Sequence, residues 1–125
     1  MNLSRSSRFL VWLVYFTGWT AALVMPINSP GEWHVSGIHI DLKFLVAKTL
    51  HVSGYALLAG LAGWLRVPPR YRWVLMFVIM GHATMTEMIQ EHVEGRTGNL
   101  HDVAYDHVGI ALGTLLTWRW WSAPD

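Results

Sequence analysis

FLVWLVYFTGWTAALVM, residues 9–25, is an unbroken run of apolar, aromatic and small side chains, and its reading decides the fold. Arg5 and Arg8 precede it, and Pro26, whose ring cannot comfortably continue a helix, stops it. Crossing the hydrocarbon of a bilayer takes about 20 apolar residues in a helix, with a lower limit near 17. The run therefore predicts a membrane-spanning helix. Basic residues followed by an apolar stretch also fit a cleaved signal peptide, but Trp12, Tyr15, Phe16 and Trp19 are bulky and no clear small-x-small cleavage site exists beyond Ala21 and Ala22. A retained helix is the expectation.

The rest of the chain repeats this pattern. Hydrophobic residues make up 53% of the 125 and charged residues only 14%, which places the chain among membrane proteins and leaves room for one domain, residues 1–125. Apolar runs over residues 45–65, 73–90 and 102–121 predict three further helices, so the expected fold is an all-α integral membrane protein, a bundle of four transmembrane helices. Gly54, Gly60 and Gly63 lie in the second run, and small residues let helix backbones approach closely in lipid. Pro68 and Pro69 break the chain between the second and third runs, with Trp64 and Trp73 bracketing the turn at the depth amphipathic rings prefer. Between Asn28 and Phe44, Ile38, Ile40, Leu42 and Phe44 alternate with His39, Asp41 and Lys43, which predicts a short hairpin turning at Ser36 and Gly37 in the first outer loop. The fourth run carries Asp102 and Asp106, and a carboxylate near a helix centre costs ~2.5 to 3.5 kcal/mol against a gain of ~0.3 to 0.6 for each Leu or Val. That helix is expected to need its neighbours. Leu50, His51 and Tyr55 also resemble Leu100, His101 and Tyr105, a short match that would fit two duplicated hairpins.

Charge placement sets an expected orientation. Arg5, Arg8, Arg66, Arg70, Arg72 and Arg119 fall on one side and Lys43, Lys48 and Arg96 on the other, so both termini are expected in the cytoplasm. The acids Glu32, Asp41, Glu87, Glu91, Glu94, Asp102 and Asp106 share the outward half. A formal net charge of +1 without a basic aromatic stripe excludes nucleic acid as a partner. Cysteine is absent from the sequence, which excludes disulfides, thiolate metal sites and cysteine nucleophiles. The residues leave the oligomeric state open.

Chemistry is expected where ionisable groups share helix faces. Glu87, Gln90, Glu91 and Glu94 stand at i, i+3, i+4 and i+7, and Lys48, His51 and Tyr55 do the same on the second helix. Asp102 and Asp106 are one turn apart and continue into Gly109 and Gly113. Turning these faces toward one another avoids exposing them to lipid and makes a small polar pocket roofed by the loop that carries Arg96. In that pocket Glu87 and Asp106 are the candidate catalytic groups, handling protons. Lys48, His51, Tyr55, Gln90, Arg96 and Asp102 are the candidate ligand-binding residues, with the Arg96 fork holding a phosphate or carboxylate. His82 lies deeper and reads as a packing contact. A buried ion-pair network that only ties the helices together would use the same residues. His51, Glu87, Glu91, His92, His101, Asp102 and Asp106 supply nitrogen and oxygen ligands, but no HExxH occurs and the spacing is not diagnostic, so neither a metal nor another cofactor is expected. Ser53 lacks an evident base, and no GxSxG is present.

The ordered series Lys48-Thr-Leu-His51-Val-Ser-Gly-Tyr55, Glu87-Met-Ile-Gln90, Gly95-Arg96 and Asp102-Val-Ala-Tyr-Asp106-His-Val-Gly109 resembles the VanZ-like family of small bacterial membrane proteins. The likeness spans the second to fourth helices. It departs from the family pattern at Ala47, where an acid usually precedes the lysine, at Thr86, which replaces an acid, and at Glu94, which replaces a proline. The named member of that family is associated with resistance to the glycopeptide teicoplanin. The resemblance thus implies a protein of the bacterial cell membrane acting at the outer leaflet on lipid-linked cell-wall precursors or similar anionic headgroups, with membrane lipid as its partner. A membrane-embedded hydrolase or transferase of envelope lipid headgroups, and a non-catalytic accessory subunit, are the alternatives.

Overall fold

The computed structural model describes residues 3–26, 42–96 and 98–123. The hairpin expected between Asn28 and Phe44 falls mainly outside these residues. Among them there are five helices and no strand: α1 (Arg5–Val24), α2 (Leu42–Trp64), α3 (Pro69–Gln90), α4 (Leu100–Leu116) and a last turn, α5 (Trp118–Trp121).

Each helix begins about a turn before its apolar run, because a basic or polar turn is still good helix. Ser4 caps α1 by accepting from Ser7 N at 3.1 Å, and Arg5 and Arg8 form its first turn. Pro69 opens α3 at a first-turn position, where its missing N–H is no loss. Asn99 caps α4, its side chain accepting from His101 N at 3.0 Å, so this helix starts at Leu100 rather than Asp102. It also ends earlier than expected. Thr117 Oγ1 donates to Gly113 O at 2.6 Å, a local bond that competes with the helix ladder, and Thr117 takes a non-helical conformation (φ −109°, ψ 20°) that separates α5 from α4.

The four long helices alternate in direction. α1 and α3 end where α2 and α4 begin, at the acidic end of the bundle. The opposite, basic end gathers arginines: Arg8 donates to Trp64 O at 3.0 Å, and the Arg72 guanidinium donates to Trp121 O and Ala123 O, tying the last turn down. α2 and α4 run parallel and form the closest pair. A Cβ at Gly109 would strike the backbone carbonyl of Val52, and one at Gly113 that of Ala56. Only glycine permits this approach.

The core is the shared seam: Tyr55, Leu58, Ala59 and Ala62 of α2, Ile79 and Ala83 of α3, Ile110 of α4, and Trp12 and Leu23 of α1. The exterior is apolar as well. Leu10, Val14, Phe77, Trp73 and Leu115 are all more than half exposed, and large exposed apolar side chains of this kind gather on surfaces that meet a membrane or a partner. Two helices, α1 over Arg5–Val24 and α2 over Phe44–Trp64, are long and apolar enough to cross a membrane, with mean hydropathies of 1.3 and 1.4. α3 is set apart by its polar residues, His82, Glu87 and Gln90, and α4, which carries Asp102 and Asp106, by its length of 17 residues.

Candidate functional site

Those polar residues lie on the inward stripes. On α3 the buried positions are Ile79, Ala83, Thr86, Glu87 and Gln90, and on α4 they are Asp102, Asp106, Gly109, Ile110 and Gly113. Each set recurs every three to four residues, the spacing of one helix face. The glycines that bring α4 against α2 therefore carry Asp102 and Asp106 to α2 on the same stripe. There they meet Lys48 and His51.

Two layers result. Nearer the acidic end, Lys48 Nζ pairs with Asp102 Oδ1 and lies 5.0 Å from the centre of the Phe44 ring and 5.5 Å from that of Tyr105. One turn deeper, His51 Nδ1 is 2.8 Å from Asp106 Oδ1 and 3.5 Å from Glu87 Oε1. Asp106 is fully buried, Glu87 and Gln90 are 2% exposed, and His51 is 7% exposed. Glu87 Oε2 accepts from the backbone N–H of Asn99 at 3.2 Å, which joins the start of α4 to the end of α3. Glu87 Oε1, Asp106 Oδ2 and Gln90 Nε2 are buried without a hydrogen-bond partner among the described residues. Polar atoms in this state are rare and costly. One ligand atom from each of His51, Glu87 and Asp106 falls within 4.8 Å of the others, so these three are the residues able to hold a metal ion.

Below this layer runs a hydrogen-bonded chain. Tyr55 OH lies 2.9 Å from Thr86 Oγ1 and 3.1 Å from His82 Nδ1, and His82 Nε2 lies 2.8 Å from Thr20 Oγ1 of α1. Tyr55 thus supports the floor of the recess from beneath. His82 is more than a packing contact, because both its ring nitrogens are engaged across three helices. Thr20 and Asn99 were not singled out from the sequence, and Thr86 was marked only as a departure from the family pattern. Thr86 had a signal, since it stands one turn from His82 and next to Glu87.

Arg96 is placed differently from the expectation. Its Nε donates to Met25 O at 3.2 Å and its Nη2 to Ala22 O, so the guanidinium caps the end of α1 instead of roofing the recess. Partial burial lowers its pKa from the ordinary arginine value, while the field of Glu87 acts in the opposite sense. Glu91 and Glu94, expected on the Glu87 face, are exposed beyond the end of α3. His92 and His101 are exposed as well, bonding to Met88 O at 3.0 Å and to Asn99 Oδ1 at 2.8 Å. The structure brings Lys48, His51, Tyr55, Glu87, Gln90, Asp102 and Asp106 together and leaves Arg96 on α1.

The arrangement has clear chemical content. A histidine and two carboxylates closed off from water form an electronegative recess, and Lys48 is already committed to Asp102. Such a set can exchange protons, hold a cation, or present hydrogen-bonding groups to a polar ligand. At the basic end, Arg5, Ser6, Phe9, Leu65, Val67 and Pro68 line an open, mostly apolar cleft of a plainer kind. No known family model, curated protein or solved structure matches the chain.

Proposed function

We propose that this chain is a VanZ-like integral membrane protein of the bacterial cell membrane that binds the anionic headgroup of a lipid-linked ligand at the outward end of a four-span bundle. The observation that carries the reading is the convergence of His51, Glu87 and Asp106, from three helices, in one buried cluster inside an otherwise apolar bundle, with the buried Gln90 on the same stripe of α3. Ionisable groups in such helices are expensive to keep, and their atoms here are only partly satisfied by one another.

The four-span arrangement is supported by the way α3 and α4 turn their acids inward and their apolar residues outward. α4, with 17 residues, stands at the short limit for a span and relies on its close seam with α2. The six arginines at the basic end favour cytoplasmic termini. The sequence has no cysteine, so single cysteines report topology cleanly. A cysteine at Ser7 or Ser122 should react with an impermeant maleimide only in opened cells, and one at Glu94 should react in intact cells. The reverse pattern overturns the orientation.

Function is tested by retention of a labelled lipid-linked wall precursor on the purified protein in nanodiscs. His51→Ala and Gln90→Leu, which remove the buried donors able to face an anion, are each expected to lower retention at least tenfold while leaving the protein monodisperse. Equal retention in both variants refutes the binding reading. The hydrogen bond between His51 and Asp106, the geometry of an oriented general base, favours a second reading, a headgroup hydrolase or transferase. Product formation in the same assay separates it from binding alone. A link to glycopeptide resistance belongs with the family resemblance.

A further inference from the structure

We infer that His51, Glu87 and Asp106 form a site for one divalent transition-metal ion, of the zinc or manganese class, and that this ion supplies the positive charge an anionic headgroup needs in the recess. The bridging part rests on the headgroup reading above, whereas the metal site stands on its own geometry.

The first consideration is charge. Glu87 and Asp106 bring two carboxylates to a place closed off from water, and Lys48 and Asp102 neutralise each other one turn away. Arg96, a further cation near this end, spends its donors on the carbonyls of Ala22 and Met25. Protonated His51 would balance one of the two negative charges; a divalent ion beside a neutral imidazole balances both. Buried charge without compensation is costly, and coordination is one of the few ways proteins accommodate it.

The second consideration is unused capacity. Glu87 Oε1 and Asp106 Oδ2 are buried carboxylate oxygens without hydrogen-bond partners among the described residues, although the other oxygen of each is engaged, by Asn99 N and by His51 Nδ1. On the ion, His51 Nδ1 gives up its bond to Asp106, which then offers either oxygen, while Glu87 keeps Oε1 for the ion and is oriented through Oε2 by Asn99 N. This is the division between ligation and outer support that metal sites need.

Geometry agrees. Two donors on one ion at bond lengths of about 2.0 to 2.2 Å lie about 3.4 Å apart at tetrahedral angles. The His51–Glu87 separation is 3.5 Å and the whole donor set spans at most 4.8 Å, so a small side-chain rotation closes the set without moving a helix. One imidazole nitrogen and two carboxylate oxygens suit borderline ions better than magnesium or calcium, which prefer all-oxygen shells. Three protein ligands also leave a position open, as sites that accept an exogenous oxygen do. Gln90 Nε2, a buried donor on the same α3 stripe, offers an N–H to that oxygen.

The test uses the full chain in detergent, stripped with a chelator, reloaded with zinc, manganese or cobalt salts and passed through gel filtration. We expect one equivalent of metal per chain and, for cobalt, visible absorption bands of a low-coordinate nitrogen and oxygen site. His51→Ala, Glu87→Gln and Asp106→Asn should each weaken binding at least 100-fold, while His92→Ala and His101→Ala, on the exposed surface, should bind as the parent does. Loss on His92→Ala or His101→Ala, undiminished binding by the three recess variants, or displacement by millimolar magnesium overturns the assignment. Metal uptake is read without lipid, so it survives a failure of headgroup retention. Retention that persists with no metal bound and in the presence of chelator refutes the ion and leaves the headgroup reading standing.

Discussion

Two layers of charged groups at the acidic end differ in one respect that separates their roles. In the shallower layer Lys48 and Asp102 pair with each other, and Arg96 is bonded to the last carbonyls of α1. In the deeper layer His51, Glu87 and Asp106 satisfy one another incompletely, with an unpartnered oxygen on each of the two carboxylates. The two layers are one helical turn apart, and each sets a nitrogen base of α2 against an aspartate of α4. A carboxylate whose partner is at hand braces a fold, whereas one with a spare buried oxygen is held ready for something else.

The largest expected effect lies in the shallower layer. Asp102→Ala leaves the Lys48 ammonium without its partner, and removing one member of a buried pair costs about 3 to 5 kcal/mol. Replacing both, Lys48→Met with Asp102→Leu, should return the unfolding free energy to within about 1 kcal/mol of the parent, because no charge is then stranded. Denaturation in mixed detergent micelles checks this. If the double variant is as unstable as the single one, the pair is no simple brace and the division between layers fails.

The contrast was only half legible in the sequence. α1 and α2 announce themselves as apolar runs, and the inward stripes of α3 and α4 follow from the spacing of Glu87 with Gln90 and of Asp102 with Asp106, Gly109 and Gly113. Helix ends were harder to place. Hydropathy marks the greasy part of a helix, so the polar first turns at Arg5 and Pro69 were missed, as was the break at Thr117, which depends on a side chain bonding back to its own helix. The role of Arg96 was beyond reach. Its partners are backbone carbonyls at Ala22 and Met25, and a backbone acceptor leaves no mark on residue type. His51 and His101 teach the same lesson from the other side. Both stand between a leucine and a tyrosine four residues on, yet His51 faces the seam and is 7% exposed, while His101 lies in the first turn of α4, exposed and bonded to Asn99. A local match in sequence did not carry over to environment, because burial is decided by which face the neighbouring helix covers.

The smallest expected effect on the apo protein is the most informative. Asp106→Asn keeps the shape of the deeper layer and removes one of two carboxylate charges held beside His51 and Glu87. A layer arranged for a ligand is under electrostatic strain without it, so in chelator this variant should be within about 1 kcal/mol of the parent, on the more stable side. An ion that binds only the folded state adds about 2.7 kcal/mol at 100 times its dissociation constant. Zinc should therefore raise the melting temperature of the parent and leave that of Asp106→Asn unmoved. If instead the variant loses as much stability as Asp102→Ala and zinc shifts neither protein, the deeper layer is a second brace, and the spare oxygens of Glu87 and Asp106 have no ligand to meet.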